Sequence, residues 1–211
     1  MADSNVEQLL AGVTAGDEKR VRELLEAHPE LQAARNDAGV SAVLLALYQG
    51  HRNIAALFHR ALDIFEASGL GNIDRVRELA DQVNSTSPDG FPPLGLACFF
   101  GQTEVALFLL ECGADVRMAS ANTMRVQPIH AAAARRAAGL IQALIDKGAD
   151  PNAKQQLGFT PLHAAAQNGD SASIDVLLSA GADRNLPSDE GKTATDYARQ
   201  AGHDDIARRL E

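Results

Sequence analysis

The chain has 211 residues, 45% hydrophobic and 4% aromatic, with no tryptophan and a net charge of −9. Length and apolar fraction allow a substantial core in one or two domains. The acidic balance argues against nucleic acid, because binding there draws on Lys and Arg to neutralise phosphate.

In chain order, the start MADSNVEQLL has neither a basic leader nor a long apolar run, so no secretory signal is expected. No stretch approaches the roughly 20 apolar residues of a membrane span. Two cysteines, Cys98 and Cys112, fit a reducing compartment. A cytoplasmic chain with no membrane contact is the expectation. Cys98 lies in LAC at a small-residue position with no His or basic neighbour, the setting of an inert buried thiol.

Further along, LLECGADV at 109–116 reads as a helix end closed by glycine, and VQPIHAAAARRA follows from 126. LIDKGADPN at 144–152 is a second such end. In GFTPLHAAAQNGD, Thr160 can cap a helix by accepting from a free backbone N–H, and Pro161 has its φ preset for the first helical position. Gly169 can take the left-handed conformation that ends the helix about two turns later. LLSAGADRN at 177–185 and GKTATDYARQAGH at 191–203 complete the series. Pro128 and His130 stand 33 residues before Pro161 and His163, and Ala194 and Gly202 stand 33 after Pro161 and Gly169. Helices this short are marginal in water and need neighbours, which the repeat supplies.

The segments DGFPPLGLACFFGQTEVALFLLECGADV, PIHAAAARRAAGLIQALIDKGADPNA and GFTPLHAAAQNGDSASIDVLLSAGADRN resemble ankyrin repeats. Nearer the start, AGDEKRVRELLEAHPE and GLGNIDRVRELA resemble the second helix of that repeat, and GVSAVLLALYQGHRNIAALF both helices. The resemblance implies an all-α solenoid of seven antiparallel helix pairs with β-hairpin fingers. Its units are 1–36 (N-terminal cap), 37–60, 61–88 (without a hairpin), 89–122, 123–155, 156–188 and 189–211 (C-terminal cap). It also implies a non-catalytic scaffold that binds another protein, and we expect a monomer when free.

The glycines that end each first helix are Gly16, Gly50, Gly71, Gly101, Gly169 and Gly202, with Arg136 in the place of a seventh. Their spacings are 34, 21, 30, 35, 33 and 33. About a dozen residues are missing between IAALFHRA and LDIFEASG, roughly one finger, which predicts a notch near residue 62. Two extra residues in MASANTMRVQP predict a longer finger. Either both shape a surface, or both are neutral loop variation.

Charge is uneven too. Residues 1–105 carry 8 basic against 15 acidic side chains, and 106–211 carry 11 against 13. Arg117, Arg125, Arg135 and Arg136 gather in one repeat, either as solvated charges or as a patch for acidic groups.

No catalytic residue, cofactor or metal site is expected. His130 and His163 recur at one repeat position, which suits a turn hydrogen bond rather than catalysis. The other histidines lack zinc-ligand spacing, and no GxSxG or GxxxxGK[ST] motif is present.

By the resemblance, the concave face is lined by Tyr48 and Gln49, Gly69 and Leu70, Phe99 and Phe100, Ala134 and Arg135, and Gln167 and Asn168, with Phe91 and Phe159 on the fingers. Arg125 is a further contact candidate. Phe91, Phe99 and Phe100 are expected as exposed anchors with Phe108 in the core, unless Phe99 and Phe100 pack between repeats. The alternatives to a plain scaffold are a regulatory or inhibitory subunit of an enzyme, or a small-molecule sensor at the notch.

A solenoid must close its ends with polar outer faces, and ARQAGHDDIARRLE is suitably charged. Deleting 188–211 should expose the apolar face of the preceding repeat. We expect aggregation or a large loss of melting temperature, read by size-exclusion chromatography and thermal denaturation.

Overall fold

A left-handed stop repeated seven times sets the architecture. The computed structural model describes residues 2–60 and 62–211, so Ala61, at the expected boundary of the third unit, lies outside them. The first helices of the pairs are α1 (Ala2–Ala15), α3 (Ala42–Tyr48), α5 (Ile64–Leu70), α7 (Pro93–Phe99), α9 (Pro128–Ala134), α11 (Pro161–Gln167) and α13 (Ala194–Gln200). The second helices are α2 (Glu18–Ala27), α4 (Arg52–Ala55), α6 (Ile73–Glu78), α8 (Thr103–Glu111), α10 (Ala138–Asp146), α12 (Ser171–Ser179) and α14 (Asp204–Leu210). Caps start the first helices: Ser41 Oγ accepts from the Leu44 N–H at 3.2 Å and Asp63 Oδ1 from the Glu66 N–H at 2.9 Å, while Pro occupies the first position of α7, α9 and α11. A left-handed residue ends each of them. It is glycine except at Arg136, whose φ is +59°.

First helices pack on first helices more extensively than second on second, leaving an inner face of first helices and fingers. The outer row thins between α4 and α6, and between α12 and α14, where Asp175 and Arg209 form an ion pair. The core is thin and aliphatic, with Leu44, Leu96, Ile129, Ile141, Leu162 and Ile174 all buried. Cys98 is buried there too, which pushes its thiol up.

The fingers are loops rather than paired strands. Among the described residues the β pairing is one isolated bridge, Arg35 to Ser41. Four fingers share one turn, in which a backbone N–H donates to the carbonyl four residues on: Asn36 to Val40, Ser87 to Phe91, Gln155 to Phe159 and Ser188 to Lys192, at 2.8–3.0 Å. In the finger before α9, Ser120 donates to Val126 instead, six residues on at 2.9 Å, which accommodates its two extra residues. The fingers are joined by backbone bonds from Ala121 to Gly90 (2.7 Å), Gln156 to Met124 (2.9 Å) and Asp189 to Leu157 (2.9 Å).

The shortening near residue 62 differs from a clean loss of one finger. Helix α4 keeps four residues where α8, α10 and α12 have nine, so second helix and finger are both cut. A polar latch fills the place. Arg60 donates from Nε to the Gln32 carbonyl at 2.7 Å and pairs with the fully buried Glu66, which itself accepts the Asp63 N–H at 3.0 Å. Arg35 pairs with Asp63 at 3.0 Å, and Arg75 donates to the Leu62 carbonyl at 2.8 Å. Breaking such a buried pair from one side leaves an uncompensated charge, so loss of either partner alone destabilises the junction.

His130 and His163 are buried joints between repeats. His130 Nδ1 accepts from the Gln127 N–H at 3.3 Å and Nε2 lies 2.9 Å from the Ala153 carbonyl. His163 repeats this with the Thr160 N–H at 3.0 Å and the Lys192 carbonyl at 3.2 Å. One nitrogen accepts and the other donates, which requires a neutral ring. Burial pushes His130 down from 6.5 to about 4 and lowers His163 as well. The unfolded chain takes up these protons first as pH drops, so the stabilisation is complete above about pH 6.5 and is lost below it, for His130 as pH falls toward 4. For His130 the full loss is roughly 3 kcal/mol. Urea midpoints should fall from pH 7 to pH 4.5, and His130→Gln should flatten part of that slope.

Candidate protein-binding face

The last turn of α3, the end of α7 and the finger between α6 and α7 bring four rings together. Tyr48 lies 5.3 Å from Phe100, 6.0 Å from Phe99 and 6.5 Å from Phe91, and Phe99 meets Phe100 edge-on at 5.1 Å. The Tyr48 hydroxyl donates to Asp89 Oδ2 at 2.5 Å, and burial and this carboxylate push its pKa upward. Phe91 and Phe100 are only 5% and 9% exposed, which corrects the expectation of three exposed anchors. The reason lies in the preceding repeat. Gly69, itself buried, leaves room for Phe100, since a Cβ there would stand 3.1 Å from the ring and 2.9 Å from Leu47 Cδ1. Phe108, expected in the core, is half-buried on α8 with Arg77 over its ring at 5.6 Å. Of the four rings, Tyr48 and Phe99 keep partial exposure.

From Phe99 an apolar groove runs along the inner face. Its first part, about 310 Å³, is lined by Phe99, Ala131, Ala134, Ala164, Gln167 and Asn168 from the first helices and by Met124, Val126, Gln155 and Phe159 from the fingers, with His130 beneath. Its continuation, about 330 Å³, shares Met124, Val126, Gln155 and Phe159 and reaches Leu157, Glu190 and Tyr197. At that end Phe159 stacks on His163 at 5.1 Å and meets Tyr197 edge-on at 5.0 Å. Alanines floor the middle because a large side chain there would fill the space between the first helices and the fingers.

Of the residues expected on this face, Phe99, Ala134, Phe159, Gln167 and Asn168 meet in the groove, with Asn168 Nδ2 donating to the Ala134 carbonyl at 3.3 Å. Arg135 closes one end: its Nε donates to the Phe99 carbonyl at 2.6 Å and its guanidinium lies 5.6 Å over the Phe99 ring. Gln49 is exposed after α3 and Leu70 half-buried, both away from the groove lining. The four arginines of this repeat do not form one patch. Arg117 donates to the Gly148 carbonyl at 3.0 Å at the end of the second helices, while Arg125 sits between the groove residues Met124 and Val126.

Arg125 and Leu157 have left-handed backbones, with φ of +50° and +63°. Arg125 stands where the other finger turns have Gly39, Gly90, Gly158 and Gly191, all with positive φ. A side chain in that conformation costs roughly 1–2 kcal/mol. Sequence reasoning missed Met124, Leu157 and Tyr197. Met124 and Leu157 are 42% and 59% exposed, unusual for large apolar side chains. The signal for Met124 was the finger's extra length. Tyr197, in the C-terminal cap, is half-buried and lines the groove, its hydroxyl 3.1 Å from Ser188 Oγ.

Burial now sets the expected cost of truncating these rings. Phe100→Ala should lower stability by about 3–5 kcal/mol through lost burial and a cavity, and Phe108→Ala by distinctly less. Denaturant midpoints of the two variants, compared with the unaltered chain, give that order directly.

Among the described residues no helix is long and apolar enough to cross a membrane. No curated protein matches the chain. Two family models do: ankyrin repeats in three copies over residues 129–210, and a single ankyrin repeat over 89–118, together just over half of the chain. Ankyrin repeats are in general protein–protein interaction modules. With helix pairs and left-handed turns of the same kind continuing N-terminal to the matched residues, the chain belongs to the ankyrin repeat family.

Proposed function

We propose that the chain is a non-catalytic scaffold that binds another protein through its inner face and finger tips, as a monomer when free. The observation that carries this is the pair of adjoining cavities that share Met124, Val126, Gln155 and Phe159 and together reach from Phe99 to Tyr197, apolar in their floor, with Gln155, Gln167 and Asn168 in the lining and Arg135 packed on Phe99. An apolar centre inside a polar rim is the anatomy of a protein contact. Its walls are held by side-chain bonds to backbone carbonyls, so little entropy is lost when a partner docks. Of the contacts expected from sequence, Tyr48, Phe99, Arg125, Arg135, Phe159, Gln167 and Asn168 keep enough exposure to serve, and Phe91 and Phe100 act as support behind them.

The sensor alternative has less behind it. The cavity beside the notch, lined by Arg22, Leu25, Glu26, Gln32, Leu57 and His59, holds about 160 Å³, below the ~300 Å³ at which ligand pockets begin. A regulatory subunit would use the same inner face, and the identity of a captured partner separates it from a plain scaffold.

Ala134 lies exposed on the groove floor, so Ala134→Trp should fill the groove and leave the core alone. We expect native pull-downs to lose the partner by about thirtyfold or more in affinity, as when an interface anchor is removed. The melting temperature should stay nearly unchanged. A partner retained at full strength by Ala134→Trp sinks the inner-face reading.

A further inference from the structure

The kind of partner can be narrowed, on the premise that the inner face is the contact surface. We propose that the groove takes an extended, acidic segment of a partner protein, seating an apolar side chain over the alanine floor and placing carboxylates at Arg135 and Arg125.

Charge is the first support. The chain carries a net −9, and many of its arginines are held by its own carboxylates: Arg22 by Glu18, Arg35 by Asp63, Arg60 by Glu66, Arg75 by Glu78, Arg77 by Asp74, Arg199 by Glu211 and Arg209 by Asp175. Arg125, Arg135 and Arg136 are all exposed and, like seven other Lys and Arg side chains among the described residues, belong to none of the ion pairs; what sets Arg125 and Arg135 apart is that one stands between the groove residues Met124 and Val126 and the other packs on Phe99. Of the carboxylates near the groove, Asp189 lies exposed at the far end against Gly158, whereas Glu190 and Asp89 are engaged. Glu190 at the far end is bridged by Lys192 at 2.8 Å, and Asp89 accepts from the Tyr48 and Ser87 hydroxyls, both at 2.5 Å. The net charge disfavours an acidic chain in general, and Arg135 at the Phe99 end with Arg125 between Met124 and Val126 supplies the local attraction along the groove.

Backbone geometry is the second. Arg125 occupies a left-handed finger position where the corresponding residue of the other fingers is glycine, and glycine would sit there without strain. Arg135 is fixed over Phe99 by its Nε bond, which leaves the rest of its planar guanidinium for a carboxylate fork. Strain retained at an exposed cationic tip points to a use for it, and Arg135 offers a second, oriented cation at the Phe99 end.

Shape is the third. The groove passes α7, α9, α11 and α13, and packed helices stand roughly 8–10 Å apart, so it runs for about 25–30 Å. An extended chain advances about 3.3 Å per residue, which makes the segment roughly eight residues long.

Panning a displayed library of random twelve-residue peptides on the full chain at low salt tests this. Asp and Glu flanking one apolar position should be enriched over the unselected library. Synthetic copies of the selected peptides should bind about tenfold more weakly to Arg125→Glu/Arg135→Glu, the effect of losing two exposed charge pairs. They should be lost on Ala134→Trp, and their affinity should fall as salt rises. Thermal melting checks folding of each variant, and Arg125→Glu alone, with a several-fold effect, serves if the double variant melts early. Selection of neutral or basic peptides that need the open floor at Ala134 but ignore the arginines overturns the acidic assignment and leaves the inner-face reading standing. Peptides indifferent to Ala134→Trp, or no selection at all, overturn both.

Discussion

Every helix after α2 has nine residues or fewer, and such helices do not hold themselves together in water. The rest of the structure depends on this constraint: each pair is stable only when its apolar face is covered by the pairs beside it. Stacking therefore supplies the core, and a set of side-chain bonds to the carbonyls of adjacent repeats fixes the spacing. Gln102 reaches the Gly69 carbonyl at 2.9 Å, His130 that of Ala153 and His163 that of Lys192. Asn84 and Asn152 each clamp the next repeat twice, donating to the carbonyls of Gly113 and Gly181 and accepting from the N–H groups of Asp115 and Asp183.

The junction between the second and third pairs shows what that constraint demands when material is removed. With α4 cut to one turn and the finger reduced, apolar cover is lost from the outer row. Charged and amide groups of Gln32, Arg35, Arg60, Asp63 and Glu66 take over the junction, satisfying one another and the exposed carbonyls. A polar network is directional where apolar packing is not, so it fixes the angle of the third pair on the second. The inner face thus stays continuous across the break, with α3, α5 and α7 still packed in sequence.

Rigidity of the scaffold and character of the groove follow from the same residues. The histidines that join repeats lie beneath the groove floor or stack against its wall at Phe159, and the finger-to-finger backbone bonds hold Met124 and Leu157 along its edge. Small residues stay on the floor and large ones at the ends, which makes a slot rather than a flat sheet of side chains. The buried phenylalanines back the end wall from behind and hold Phe99 in place.

Much of this was legible in the residues themselves. The 33-residue period of the later units, the cap or proline starts and the glycine stops are local chemistry, set by capping and by which residues tolerate positive φ, so helix pairs, register and the lengthened finger could be read directly. Arg136 keeps the left-handed turn even without glycine, because the neighbouring helices fix it there. Burial was not local. Phe99 and Phe100 are adjacent in the chain, yet one faces the groove and the other fills the space left by Gly69 a repeat away. Phe108 stays half-exposed because its own neighbour, α6, is short. The shortening near residue 62 was countable, but how it divided between helix and finger depended on which side chains could satisfy the exposed backbone. Sequence determined the repeat because each turn answers to its own residues; only the stacked structure decided the groove, because every surface in it is made by two or three repeats at once.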